Sequence, residues 1–177
     1  MKPPGIVLIG MPGSGKTSVG AWLSNELKLP LLDSDALLEQ RKKISIKEWF
    51  QQAGEEDFRN HEYQLLQELQ GHPECIILST GGGMPLIPGA SALIKNIGFS
   101  VFLDVPLELL SKRLSNPEER PLLDMNKQVP DYLKKLYEER HPKYLFMADI
   151  HLSVSSHETV ESLAERIVHE YRLREKK

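Results

Sequence analysis

Residues 5–17 have the sequence GIVLIGMPGSGKT, in which an apolar run passes directly into a glycine-rich loop. The loop matches the spacing G-x-x-x-x-G-K-[ST], with its fixed positions at Gly10, Gly15, Lys16 and Thr17. An amphipathic pattern follows over residues 15–28, so the loop lies between a predicted strand and a predicted helix. That context favours a phosphate-binding loop over the structural alternative, a glycine turn without a ligand.

The residue types in this loop suit a nucleotide. Glycines at positions 10, 13 and 15 let backbone N–H groups approach phosphate oxygens, and the following helix adds the positive end of its dipole. Lys16 can bridge the β- and γ-phosphates, and the Thr17 hydroxyl can ligate Mg²⁺. The predicted nucleotide contacts are Gly13, Ser14, Gly15, Lys16, Thr17 and Ser18.

Five short apolar runs predict the strands of the domain. They are continuously apolar and do not alternate with polar residues, which is typical of parallel strands covered on both faces. The runs are residues 5–9, 29–32, 75–79, 99–103 and 150–154. Helical patterns lie between them, over residues 15–28, 46–53, 57–70, 106–114 and 157–173. We therefore expect one domain over residues 1–177, a three-layer α/β/α fold with a central five-stranded parallel sheet.

Composition excludes several other classes of protein. The chain has 177 residues, 22 basic and 25 acidic, and its net charge of −3 does not favour a nucleic-acid binder. Its apolar runs are too short for a membrane span or a signal peptide, and its one cysteine cannot form an internal disulfide. We expect a cytoplasmic protein without a nucleic-acid or membrane partner, and a monomer is the simplest assembly.

The segment over residues 115–130 differs from the rest of the chain. It is polar, contains three prolines and has no clear period, which predicts a loop or a mobile lid over about residues 113–130. Within it, Asn126 and Lys127 are followed by Gln128 and Val129, so the guanine motif N-K-x-D is not completed. A GTPase is therefore not indicated.

Carboxylates follow the second predicted strand, at Asp33 and Asp35. Ligands bind beyond the carboxyl ends of parallel strands, and strand residues two apart point the same way. One carboxylate could hold Mg²⁺ through water, and the other could accept a proton from an acceptor hydroxyl. A helix N-cap is the structural alternative, because aspartate is common there.

Two further motifs lie farther along the chain. In GEEDFRNHE, residues 54–62, Arg59 and Glu62 are three apart and share a helix face, where a surface ion pair is the alternative to a functional role. In TGGG, residues 80–83, three glycines after a buried strand allow a ligand to approach bare backbone, and a plain flexible loop is the alternative.

Together these motifs resemble the shikimate kinase family over about residues 6–168. The similarity rests on their order and spacing: GMPGSGKT at 10–17, DSD at 33–35, GEEDFRNHE at 54–62, TGGG at 80–83, RPLL at 120–123 and Y-x-x-R-x-P-x-Y at 137–144. The resemblance implies transfer of the γ-phosphoryl group of ATP, with Mg²⁺, to the 3-hydroxyl of shikimate. The remaining alternatives are a kinase of another small polyol acid such as gluconate, a non-catalytic binding protein and a nucleotide kinase.

The resemblance also implies residue roles on the acceptor side. Asp35 matches the carboxylate that binds the acceptor hydroxyl, and Asp33 matches the one near Mg²⁺. Arg59 and Arg140 match the pair that holds the substrate carboxylate, a task suited to the guanidinium fork. Gly82 matches a glycine whose backbone contacts the substrate.

On the nucleotide side, the resemblance implies that Lys16 and Arg120 are catalytic, because Arg120 matches a lid arginine that closes over the phosphates. Arg113 and His157 fall where the family contacts adenine. The chain departs from the family pattern at Lys43, where glycine is common, and at Pro12, which lacks an N–H for phosphate. Neither departure removes a predicted catalytic group.

Overall fold

The computed structural model describes residues 5–114 and 129–175. Its centre is a parallel sheet of five strands in the order β2-β3-β1-β4-β5. The strands are β1 Gly5–Ile9, β2 Leu31–Asp33, β3 Ile77–Ser79, β4 Gly98–Asp104 and β5 Ile150–Ser153. The prediction of five parallel strands is confirmed.

Seven α-helices of the described residues surround this sheet. They are α1 Lys16–Leu27, α2 Ser34–Lys42, α3 Ile46–Leu69, α4 Ala90–Ile97, α5 Leu107–Leu114, α6 Val129–Met147 and α7 Val160–Glu175. Helix α1 packs against α7, whereas α3 packs against α2 and α4. This arrangement confirms the three-layer α/β/α prediction.

Burial explains why the strand segments are continuously apolar. Every residue of β1 and β3 is buried, as are the first six of β4, because helices cover these strands on both faces. Strands β2, β3, β1 and β4 are neighbours and parallel, so their carboxyl ends meet at one edge of the sheet. That edge therefore carries the phosphate-binding loop, the aspartates, the glycine loop and Asp104.

Helices account for the main differences from the sequence prediction. Helices α2, α4 and α6 were not predicted, although the buried residues Ala90, Ile94 and Ile97 of α4 follow a helical period. The two helices expected over residues 46–53 and 57–70 form the single element α3, within which Gly54 leaves the helical region with φ 81° and ψ 171°. The predicted lid, about residues 113–130, lies almost entirely outside the described residues, between the end of α5 and the start of α6.

Helix α2 also corrects the expected geometry of the aspartates. Asp33 is the last residue of β2 and the N-cap of α2, whereas Asp35 lies in the first turn of that helix. The two carboxylates are therefore not oriented by strand alternation. At the other end of α2, Lys43 adopts the left-handed conformation with φ 60° and ψ 28°, and its N–H bonds to the Glu39 carbonyl at 2.7 Å.

We expect Lys43→Gly to stabilise the protein by about 0.5–1 kcal/mol, because glycine adopts a positive φ without the steric cost of a Cβ. Lys43 is exposed, so little packing is lost. Lys42→Gly is the matched control: it lies inside the last turn and should lower the free energy of unfolding by about 1 kcal/mol. Urea unfolding of both variants measures this, and a destabilised Lys43→Gly contradicts it.

Candidate active site

The phosphate-binding loop has the backbone geometry that its glycines predict. Gly13 and Gly15 have positive φ values of 79° and 93°, which residues with a Cβ rarely adopt. Gly15 is the N-cap of α1, so the first N–H groups of the helix open towards the loop. The loop and helix start thus form a concave set of N–H donors suited to an anion.

The Lys16 side chain is held beneath this loop. It is only 7% exposed, and its Nζ donates to the carbonyl oxygens of Gly10 at 3.0 Å and Met11 at 2.9 Å. It also lies 3.3 Å from the Ser14 hydroxyl. These contacts keep a positive charge at the floor of the loop.

Asp33 joins the phosphate-binding loop to the next segment. Its Oδ2 accepts a hydrogen bond from the Thr17 hydroxyl at 2.8 Å, and Thr17 also lies 3.2 Å from the Ser79 hydroxyl. Its Oδ1 accepts from the backbone N–H groups of Asp35 at 3.1 Å and Ala36 at 3.2 Å. Asp33 is therefore an N-cap and a partner of Thr17 at once, and its role near Mg²⁺ stays a prediction.

The glycine loop is shaped by charged side chains. A Cβ at Gly81 would collide with the Asp35 carboxylate, and one at Gly83 would collide with the Arg59 guanidinium. A Cβ at Gly82 would lie 2.9 Å from Arg140 Nη1. Each glycine therefore makes room for a different charged group that the sequence predicted to bind the acceptor.

Several hydrogen bonds fix this loop in place. The Gly81 N–H donates to the Ser34 hydroxyl at 2.8 Å, and the Thr80 hydroxyl donates to the Leu8 carbonyl at 2.9 Å. The buried Tyr144 hydroxyl donates to the Gly82 carbonyl at 2.5 Å. The loop is thus tied to β1, α2 and α6, and a plain flexible loop does not describe it.

Arg59 takes part in a buried ion pair. Its guanidinium donates to Glu62 at 2.5 Å and to Glu55 at 2.9 Å, and the Glu62 side chain is 0% exposed. The alternative of a surface pair is therefore wrong for Glu62. Burial lowers the pKa of Arg59, but the two glutamates outweigh it, so its net pKa is raised.

Glu62 is electrostatically unusual. Its Oε1 is buried and has no hydrogen-bond partner among the described residues. Burial raises the pKa of Glu62 to about 7, although the Arg59 ion pair acts to lower it, and the nearby Asp35 charge raises it further. Glu62 thus lies between two arginines and a carboxylate and changes its charge near neutral pH.

A cavity of about 420 Å³ runs from the phosphate-binding loop to Asp35 and the glycine loop. Its walls include the predicted nucleotide contacts at residues 13–18, both aspartates, Gly82 and Arg113. Arg59 and Arg140 lie beyond its acceptor end, packed on Gly83 and Gly82. The structure thereby brings the phosphate-binding residues, Asp35 and Gly82 into one cleft.

The predicted adenine contacts have different outcomes. Arg113 lines the cleft, and its Nη1 donates to the carbonyl oxygens of Gly13 at 3.2 Å and Ser14 at 3.4 Å. His157 is exposed and does not line the cleft, whereas its neighbours Glu158 and Val160 do. Arg120 lies outside the described residues, so its role stays a prediction.

Sequence reasoning missed several residues of the cleft. Ser34 supports Gly81, Ser79 touches Thr17, and Leu163 of α7 forms part of the wall. The first two belong to motifs or strands that the sequence singled out, so their place at the strand ends could have indicated them. Leu163 carried only the signal of a helix core residue.

Comparison with known proteins agrees with this geometry. The sequence model of the family described as Shikimate kinase matches residues 12–172. The chain belongs to the shikimate kinase family. A shikimate kinase of Clostridium botulinum (strain Okra / Type B1) is 44% identical over 137 residues, which cover 76% of this chain and 79% of that protein. The family resemblance predicted from the motifs is confirmed.

Solved structures give the same result. The shikimate kinase of Acinetobacter baumannii in complex with shikimate has a TM-score of 0.89 and 31% identity, with 98% of this chain and 96% of that chain covered. A gluconokinase of Sinorhizobium meliloti 1021 has a TM-score of 0.58 and 16% identity, which indicates a shared fold alone. Among the described helices, none is both long and apolar enough to cross a bilayer.

Glu62→Gln should remove a pH dependence of stability. The pKa of Glu62 is about 7 in the folded protein against an ordinary 4.5, so its contribution is complete below pH 4.5 and is lost as pH rises through 7. Relative to the variant, the wild type should lose up to about 3 kcal/mol across this window.

Urea unfolding at pH 5, 6, 7 and 8 measures that difference. Glu55→Gln is the matched control, because it changes the exposed partner of the same guanidinium and should show no such trend. A wild-type-to-Glu62→Gln difference that stays constant with pH contradicts the assignment.

Proposed function

We propose that this protein transfers the γ-phosphoryl group of ATP to the 3-hydroxyl of shikimate, giving 3-phosphoshikimate and ADP. The observation that carries the proposal is the continuity of one cleft from the phosphate-binding loop to Asp35 and the glycine loop. Arg59 and Arg140, packed on Gly83 and Gly82, place two cations at its far end. A small acid with hydroxyl groups fits this distribution of charge.

The nucleotide side supplies binding and charge stabilisation. The N–H groups of the loop and the Lys16 ammonium would hold the phosphates, and Arg113 would lie near the adenine. The residues present also fit Mg²⁺, because Thr17 offers a hydroxyl beside the Asp33 carboxylate. When bound, Mg²⁺ neutralises charge on the phosphate oxygens.

The acceptor side orients the nucleophile. Asp35 would accept a hydrogen bond from the 3-hydroxyl of shikimate and take up its proton as the oxygen attacks the γ-phosphorus. Arg59 and Arg140 would hold the substrate carboxylate, and the Gly82 backbone would contact the substrate. Because phosphoryl transfer depends on positioning more than on covalent chemistry, this fixed geometry is the main contribution of the protein.

The proposal also covers Arg120, which lies outside the described residues, and the oligomeric state. Arg120 would close over the transferring phosphoryl group and stabilise its charge, as the family resemblance implies. We also propose a monomer, because it is the simplest assembly for a single domain of 177 residues.

Coupled ADP release with Mg²⁺-ATP tests the function. We expect strong turnover with shikimate, because its carboxylate and hydroxyls match the two arginines and Asp35. Gluconate and a reaction without acceptor are the controls and should show only slow background hydrolysis. Turnover that is faster with gluconate, or absent with shikimate, would reject shikimate as the substrate.

Asp35→Asn should lower kcat by about 10²–10⁴-fold, because asparagine cannot accept the hydroxyl proton. The KM for ATP should stay nearly unchanged, since Asp35 lies on the acceptor side of the cleft and the amide is isosteric. Steady-state kinetics with each substrate varied in turn measures both quantities. A parallel collapse of ATP affinity would place Asp35 on the nucleotide side instead.

A further inference from the structure

Asp104, the last residue of β4, is hydrogen-bonded to side chains from two other elements. Its Oδ1 accepts a hydrogen bond from the Tyr137 hydroxyl at 3.1 Å. Its Oδ2 lies 3.1 Å from His141 Nε2 and 2.8 Å from His151 Nε2. Tyr137 and His141 belong to α6, whereas His151 belongs to β5. These contacts lie outside the lining of the cleft described above.

The carboxylate of Asp104 is an acceptor in all of these contacts. Its side chain is 15% exposed, and although burial raises its pKa, the hydrogen bonds from His151 and His141 outweigh that effect and lower it. Burial and the Asp104 charge raise the pKa of Tyr137 to about 12, so Tyr137 keeps its proton. An ionised carboxylate has no proton to give, so both histidines donate from Nε2–H.

Helix α6 has an intrinsic weak point near this cluster. Pro142 lies inside the helix and has no N–H, so the carbonyl four residues earlier, at Glu138, lacks its usual helical partner. The turn from Glu138 to Pro142 contains Arg140, which we place on the acceptor carboxylate. The backbone alone therefore holds Arg140 less firmly than it would in an uninterrupted helix.

Side chains compensate on both sides of that turn. Tyr137, just before the turn, and His141, within it, bond to Asp104 at the edge of the sheet. After it, the Tyr144 hydroxyl bonds to the Gly82 carbonyl. The Phe102 ring packs against His141 and Tyr144, with ring centroids 5.5 Å and 5.3 Å away, and closes the space between them. Arg140 thus lies between two fixed points.

We propose that Asp104 is a positioning residue: through Tyr137 and His141 it fixes the turn of α6 that presents Arg140 to the acceptor carboxylate. The inference rests on the proposed function, because it assigns Arg140 to that carboxylate. His151 bonds to the same Asp104 oxygen but belongs to a strand without an acceptor-binding residue. His151 also stacks on Phe102, with ring centroids 5.6 Å apart, but among the described residues it has no hydrogen bond to α6.

The two histidines give a matched pair of variants. His141→Leu removes a tether of α6 and should raise the KM for shikimate about fivefold, the value of one net hydrogen bond. The KM for ATP should not change, because the phosphate-binding loop belongs to other elements. His151→Leu removes a similar bond from β5 and should leave both KM values at the wild-type level.

His141→Gln is the conservative variant. The Gln side-chain amide can donate to Asp104 from nearly the position of His Nε2, so it should restore the wild-type KM for shikimate. Thermal unfolding of all three variants separates loss of positioning from loss of fold. The expected pattern is similar melting temperatures for His141→Leu and His151→Leu, with a raised shikimate KM only in the former.

Each other outcome overturns the proposal. An unchanged shikimate KM in His141→Leu shows that the cluster is structural only. An equal rise in His151→Leu shows that the environment of Asp104, and not its tether to α6, affects the acceptor. Equal rises of both KM values in His141→Leu show a general loss of structure. A wild type without shikimate-dependent turnover rejects the proposed function itself and the positioning role with it.

Discussion

The carboxylate of Asp33 is the contact on which both halves of the cleft depend. One oxygen accepts from Thr17 at the start of α1, and the other caps the first turn of α2. The loop that would hold the nucleotide is therefore fixed relative to Asp35, which lies in that first turn. Phosphoryl transfer requires a fixed distance between the nucleotide and the acceptor hydroxyl. That distance stays fixed only if the starts of α1 and α2 do not move independently.

The acceptor end depends on a balance of buried charges. Arg59 and Arg140 bring two positive charges beside Glu62 and Asp35, and the glycine loop lets all these groups approach closely. Burying a charged carboxylate without a full set of partners is unfavourable, which explains why the pKa of Glu62 is raised. The Asp104 cluster adds a second balance at the sheet edge, where one carboxylate is matched by three donors.

The sequence predicted the sheet well because β1, β3 and β4 are buried on both faces and leave continuous apolar runs. It also predicted which motifs meet at the strand ends, since the carboxyl ends of parallel strands share an edge. It could not predict α2 or α6, whose charged faces hide their period, nor that Glu62 is fully buried. The segment near His157 reaches the cleft through Glu158 and Val160, and the adenine contact of His157 stays a prediction.

The glycine loop restricts how this protein can evolve. Gly81, Gly82 and Gly83 each exclude a side chain because a charged group already occupies that space. Even the smallest substitution there would dislodge Asp35, Arg140 or Arg59. A lineage that adapts to a different acid must therefore exchange the charged residues first, and only then are the three glycine codons released to vary.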